Sequence, residues 1–227
     1  MPEQPANLDI LRYSPFLVAA GEAAMRRLLR VSFIQSLPRA AVIFAQDEHA
    51  DFVHVVLEGS IGLTARAEDG AQTVVEIFRT GEVLLVPAVV LRLPYLASAQ
   101  ALTDVRIMLI PGEAFRAALA EDPDMARATI DLLARHWRLM VDQVVDLKLR
   151  PAERRVARFL ARRIPEEGGG GTAELPEARQ AIAARLGMTP ETLSRTLHAM
   201  EKDGLVRGAG KLVDVPDRER LLHQRKP

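Results

Sequence analysis

The sequence predicts an α+β fold in which a β-rich N-terminal domain, one long helix and a small helical C-terminal domain follow one another. Three observations carry that expectation. Short β-branched or apolar runs punctuated by turn residues fill the region between about 30 and 110. A stretch free of Gly and Pro then runs from 124 to 150 with large apolar residues at heptad spacing. Beyond it, two short helical patterns meet at Gly187. The expected segments are 1–121, 122–149 and 150–227.

At 227 residues, 48% hydrophobic and 26% charged, the chain can bury more than one core and has no disordered character. It contains no cysteine. Disulfides, thiol switches, cysteine-ligated zinc and a cysteine-bound iron–sulfur cluster are therefore excluded. No apolar run of membrane-spanning length occurs and the N-terminus lacks a signal-peptide pattern, so a cytoplasmic protein with no membrane partner is expected. The net charge of zero conceals an asymmetry. Residues 150–227 carry 16 Lys/Arg against 11 Asp/Glu, which leaves 14 against 19 for residues 1–149. A basic C-terminal part is what a domain facing a polyanion requires.

Strands are expected at 31–37, 41–44, 52–57, 61–66, 73–78 and 105–110, with hairpin turns at Glu58-Gly59 and Asp69-Gly70. This many short strands favours a roll or sandwich. Asp122-Pro123 is a helix start, since Asp can cap exposed N–H groups and Pro fits the first helical turn. Within the long helix, Ala126, Ile130, Leu133, Trp137, Met140, Val144 and Leu147 alternate spacings of four and three, a seam for a partner helix in a homodimer. Val141, Val145 and Leu149 form a second stripe, expected to cover the chain's own β domain. The alternative is a helix buried wholly within its own core.

A basic amphipathic helix is expected at 153–164, followed by a glycine linker at 168–171. The glycines are not followed by Lys-Ser or Lys-Thr, so they do not make a phosphate-cradling loop. Residues 179–186 form a short helix closed by Gly187. Thr189 caps a second helix that Pro190 begins and Gly204 ends, with Leu193, Leu197 and Met200 on its inner face. This is a helix-turn-helix. Glu191, Ser194 and Arg195 face outward near its start, where polar side chains reach base edges in a major groove. Thr189, Thr192, Arg179 and Lys211 are placed to touch the DNA backbone. Residues 205–207 and 211–215, with a turn at 208–210, are expected to pair as a wing.

The motifs Phe44-Ala45-Gln46, Val55-Val56-Leu57-Glu58-Gly59, Gly81-Glu82, Glu153-Arg154-Arg155-Val156-Ala157 and Glu191-Thr192-Leu193-Ser194-Arg195 resemble the cyclic-AMP receptor protein/fumarate–nitrate reductase regulator (CRP/FNR) superfamily. The resemblance implies a double-stranded β-roll of the cyclic-nucleotide-binding kind, a dimerisation helix and a winged helix-turn-helix. It also implies a homodimer that binds double-stranded DNA at a TTGA-like inverted repeat and acts on RNA polymerase.

Departures from that pattern bear on the effector. Members that bind cyclic AMP grip its phosphate with an Arg-Ser or Arg-Thr pair, where this chain has Tyr95-Leu96; Arg92 lies three residues early. Leu84-Leu85-Val86-Pro87 replaces the small glycine-bearing stretch, and Ala40 and Asp47 stand where roll glycines are usual. Cyclic AMP is therefore not the expected effector. The pattern at 95–101 is similar to the cysteine-free denitrification branch, which responds to nitric oxide, and this implies haem. Leu84, Leu85, Tyr95 and His136 are the expected effector pocket. His136 is the first candidate axial ligand and His54 the second, while Pro2 has only a remote precedent. The alternatives are an effector-independent regulator, one that responds to a cyclic nucleotide, or a metal-dependent β-roll enzyme. The last needs a His-x-His pair, which His49 and His54 do not form, so neither an enzyme nor a metal site is expected.

Overall fold

A computed structural model describes residues 13–66, 72–84, 86–165 and 169–223. The chain divides into two compact units, Met1–Arg138 and Leu139–Pro227. Among the described residues no helix is long and apolar enough to cross a membrane.

The first unit opens with helices α1 (Pro15–Ala19) and α2 (Glu22–Leu29). Strands β1 (Phe33–Leu37), β2 (Val42–Phe44), β3 (Phe52–Glu58), β4 (Ser60–Arg66), β5 (Gln72–Arg79) and β6 (Val83–Leu84) follow. Helix α3 (Val86–Leu91), strands β7 (Ser98–Ala101) and β8 (Val105–Pro111) and helix α4 (Gly112–Glu121) complete it. Two antiparallel four-stranded sheets result, in the orders β1-β8-β3-β6 and β2-β7-β4-β5. Their apolar faces and the surrounding helices enclose one core. The six expected strands are all present. Strands β6 and β7 and helices α1 to α4 are additions. β6 has two residues, and β7 is Ser-Ala-Gln-Ala, without the β-branched side chains that mark a strand.

At Gly59 the turn between β3 and β4 has φ 85°, and a Cβ would lie 2.2 Å from the Asp104 carbonyl oxygen. The second expected turn, Asp69-Gly70, lies outside the described residues. Ala40 and Asp47 adopt φ 70° and 68°, left-handed conformations in which a Cβ is unfavourable. Each is tied down. The Ala40 N–H donates to the Ala101 carbonyl at 2.8 Å and the Asp47 N–H to the Tyr95 carbonyl at 2.8 Å.

Aromatic rings occupy the roll interior. Phe44 stacks on Tyr95 at 3.9 Å between centroids, and His54 lies 5.1 Å from Phe44. The Tyr95 hydroxyl donates to the Phe52 carbonyl at 3.2 Å, and burial pushes it up to about 12, the Phe52 hydrogen bond opposing that rise. Leu84 pairs with His54 across β3 and β6 and is fully buried.

Helix α5 (Pro123–Leu149) starts where the sequence places it: Asp122 Oδ1 accepts from the N–H groups of Asp124 (3.0 Å) and Met125 (3.2 Å). Its first turns bury Met125 and Ala128 in the roll core, with Leu132 and Leu133 packed alongside. Ile130, Trp137 and Val144, seven residues apart, are 65%, 71% and 51% exposed. The expectation that Val141, Val145 and Leu149 cover the β domain is corrected. Val141 and Leu149 are exposed.

The second unit contains α6 (Ala152–Ala161), β9 (Gly171–Glu174), α7 (Arg179–Arg185), α8 (Pro190–Lys202), β10 (Leu212–Val215) and α9 (Arg218–Leu222). Two further expectations change here. The main partner of β10 is β9, in antiparallel register from Leu212↔Glu174 to Val215↔Gly171; residues 205–207 contribute only the Arg207↔Asp214 bridge. The glycines after α6 are likewise more than a linker. A Cβ at Gly170 would lie 2.5 Å from the Val215 and Pro216 carbonyl oxygens, so close approach to the wing requires glycine there. Gly168 lies outside the described residues.

Burial drives the His54 pKa down to about 4 from an ordinary 6.5, only partly offset by the Phe52 carbonyl. Between those values the unfolded chain takes up a proton that the folded roll refuses. Stability from this residue is therefore complete above pH 6.5, falls as the pH is lowered, and levels off near pH 4. Denaturant unfolding at pH 5 should show about 2 kcal/mol less stability than at pH 7 from His54 alone. His54→Phe should remove that part of the acid sensitivity, and an unchanged pH profile would refute the assignment.

Candidate nucleic-acid interface

The turn between α7 and α8 is set by backbone geometry. Gly187 has φ 63°, and a Cβ there would lie 2.6 Å from Leu147 Cδ2 of α5. The Arg155 guanidinium of α6 donates to the Gly187 carbonyl at 3.3 Å. Thr189 then caps α8, its hydroxyl accepting from the Thr192 N–H at 3.2 Å, and Pro190 occupies the first turn. The 3.6-residue period buries Leu193, Leu197 and Met200 and turns Glu191, Ser194 and Arg195 outward together. All three outward residues are exposed.

These side chains are ordered among themselves. Arg195 Nη2 lies 3.5 Å from the Thr192 hydroxyl. The Glu191 carboxyl is held below the usual carboxylate range by its own backbone N–H, then by the Thr189 hydroxyl and the Arg195 charge. Glu191 is therefore an ionised acceptor next to a guanidinium fork, the pair of groups that matches cytosine N4 and guanine O6/N7.

Lys211 is exposed beside the wing. Arg179 is not available as expected. Its Nη2 donates to the Ala209 carbonyl and, at 3.0 Å, to the Gly210 carbonyl, so it braces the wing turn against α7. Those carbonyls need a donor, and the guanidinium at the start of α7 is within reach. A further brace was not legible in the sequence. Arg163 at the end of α6 pairs with buried Glu177 at 2.9 Å and lies 4.1 Å over the Phe159 ring. No periodicity links residues fourteen apart across a loop.

The expected effector residues separate. Leu84 and Tyr95 are core side chains of the roll, and Leu85 lies outside the described residues. His136 sits on α5 beside Phe78 of β5, with ring centroids 6.1 Å apart. Burial lowers its pKa, against the pull of the Glu76 charge. Among the described residues no group of three or more His, Asp or Glu is placed to hold a metal ion.

A β-roll, a long helix and a winged helix-turn-helix define a class, the DNA-binding regulator that carries a β-roll domain. Comparison with known proteins agrees. The cyclic nucleotide-binding domain family matches residues 34–122 and the Crp-like helix-turn-helix family matches residues 154–224. The transcriptional activatory protein AadR of Rhodopseudomonas palustris is 32% identical over 189 residues, 81% of this chain and 75% of that one. The CRP-like cAMP-activated global transcriptional regulator of Mycobacterium tuberculosis is 27% identical over 191 residues, covering 82% and 85%. FixK2 from Bradyrhizobium japonicum superposes with a TM-score of 0.76 at 25% identity, over 86% of this chain and 98% of that one. This chain belongs to the CRP/FNR family of transcription regulators. The regulatory reading thereby replaces the enzymatic alternative.

Proposed function

We propose that the protein is a homodimeric, sequence-specific regulator that reads a TTGA-like inverted repeat through α8 and acts on RNA polymerase from that site. The observation that carries it is the joint exposure of Glu191, Ser194 and Arg195 on one face of a capped helix. Arg195 takes guanine O6 and N7, Glu191 accepts from the paired cytosine, and Ser194 accepts or donates at a neighbouring base. Thr189, Thr192 and Lys211 contact phosphates and set register without reading sequence. Roles divide along the chain as sensor 1–121, dimerisation helix 122–149 and DNA-binding segment 150–227. Arg195→Ala should cost about 1–3 kcal/mol per half-site and relax the preference at the guanine. Lys211→Ala should weaken all sequences alike and lower the salt slope by roughly one. Binding selections that return a motif without TTG would place the recognition face elsewhere.

Dimerisation runs through Ile130, Trp137 and Val144, with Leu133, Met140 and Leu147 flanking them. As an isolated chain the protein would present Ile130, Trp137, Val144 and Leu147 to water, with Leu133 and Met140 half-buried beside them, a patch that association removes. Sedimentation should give a dimer at micromolar concentration. Trp137→Glu with Val144→Glu should give folded monomers with greatly reduced operator affinity, and a monomeric unaltered protein with full affinity would refute the seam.

The effector is a flat apolar molecule and not cyclic AMP. Tyr95 and Leu96 stand where a cyclic-AMP-binding member carries its phosphate-gripping pair, and the Phe44–Tyr95 stack fills the roll interior. Neither Tyr95 nor Leu96 carries a charge that could match an anion there. Haem fits one of the two candidate ligands. His54 is closed in by Phe44 and Leu84, whereas His136 stands half-buried at the edge of the roll with Phe78 beside it. Bound there, haem would supply an iron centre for nitric oxide, with His136 holding it and Phe78 lining the site. Haem reconstitution should give a Soret band that shifts in His136→Ala and is unchanged in His54→Ala, and cyclic AMP should give no calorimetric heat. Low-micromolar binding of cyclic AMP would favour the cyclic-nucleotide reading, and no response to either would favour an effector-independent regulator.

A further inference from the structure

Between α5 and α6 the backbone supplies little to fix the angle of the elbow. Pro151 has no N–H to continue the helix, and the Arg150 N–H to Asp146 carbonyl bond at 3.2 Å is the last of the α5 ladder. Side chains take over. Asp142 and Asp146, one turn apart on α5, receive three guanidinium groups. Arg150 at the elbow reaches Asp142 Oδ1 at 3.2 Å and also pairs with Asp146. Arg158, from the middle of α6, pairs with Asp142 and places its Nε 3.1 Å from Asp146 Oδ1. Arg162, one turn further on, pairs with Asp142 and lies 3.9 Å from Asp146 Oδ2.

Asp142 touches all three arginines, and the residues of the cluster are at most about a third exposed. Burial alone would raise the Asp142 pKa. The hydrogen bonds from Arg158 and Arg150 and the charges of Arg158 and Arg162 outweigh it and lower the value. Removing one carboxylate would strand several cations that have lost part of their hydration. Helix α6 in turn packs against α8 and α9, and its Val156, Ala157 and Leu160 are buried.

We propose that Asp142 is a positioning residue for DNA recognition: with Asp146 it clamps the elbow between α5 and α6 and so fixes the angle at which α8 is carried on the end of α5. The inference rests on the dimeric half-site reading above. In a two-fold dimer that angle sets the separation of the two recognition helices, and hence the spacer length the operator must have. The clamp thus selects spacing, whereas Arg195 selects bases.

The test uses the full-length protein with Asp142→Asn and Asp142→Glu, and Arg162→Gln as a milder variant at the edge of the cluster. Two quantities are read: amide exchange across 146–155 in the free protein, and affinity for operators whose spacer is lengthened or shortened by one base pair. In Asp142→Asn the elbow amides should exchange on the order of tenfold faster, with those of α8 unchanged. Discrimination between native and altered spacers should fall on the order of tenfold, with base preference within each half-site preserved. Asp142→Glu should restore most of both effects, and Arg162→Gln should show the same trend more weakly. If Asp142→Asn does not fold, Arg162→Gln alone decides. Elbow exchange and spacer discrimination within twofold of the unaltered protein would overturn the proposal, as would Asp142→Glu behaving like Asp142→Asn. An unaltered protein with no spacing optimum would refute the dimeric reading instead, and the exchange measurement would still decide the clamp.

Discussion

The second unit depends on a missing atom. At Gly187 the chain must turn left-handed while Leu147 of α5 presses to 2.6 Å from where a Cβ would stand. Any other residue would meet both the backbone penalty and the leucine. The Leu147 side chain of α5 thus lies directly against the turn of the helix-turn-helix. Arg155 reaches the Gly187 carbonyl, and Thr189 is released from α7 in time to cap α8. This contact places the turn that leads into the recognition helix against α5.

The first unit solves the opposite problem, that of filling space. Its roll spends its interior on Phe44, Tyr95 and His54, which encloses an imidazole beside aromatic rings. Two turns meanwhile keep a Cβ in left-handed backbone at Ala40 and Asp47. Asp tolerates that conformation better than Ala, and both turns are held by N–H groups that donate to carbonyls of β7 or of the chain just before it. Interior and rim are thus coupled, since the Tyr95 carbonyl that anchors Asp47 belongs to the residue stacked on Phe44.

The features legible in the sequence were those with local signatures. Asp122-Pro123, Thr189-Pro190 and Gly187 announced helix boundaries through capping and backbone chemistry, and the structure has them at those residues. The outward trio on α8 followed from helical periodicity alone. What escaped depends on pairings between distant residues. β9 is a short Gly-Thr-Ala-Glu run whose role appears only beside β10, and the same distance hid Gly170. Arg179 looked like a phosphate ligand because its charge is visible in the sequence and its carbonyl partners are not. The second stripe on α5 was misassigned because periodicity tells which residues share a face, but not whether anything covers that face.

The pairing of β9 with β10 also has a consequence for how the second unit is built. The strands lie roughly forty residues apart in the chain, and both helices of the helix-turn-helix lie between them. The sheet can close only after α7 and α8 have folded back and brought its ends together, so it forms a non-local lock around a locally encoded motif. A fragment beginning at Arg179 would retain every residue placed on the DNA yet leave Leu212–Val215 as an unpaired edge. The smallest piece that is whole as a folding unit is therefore larger than the piece that reads bases, and it starts upstream of the glycines.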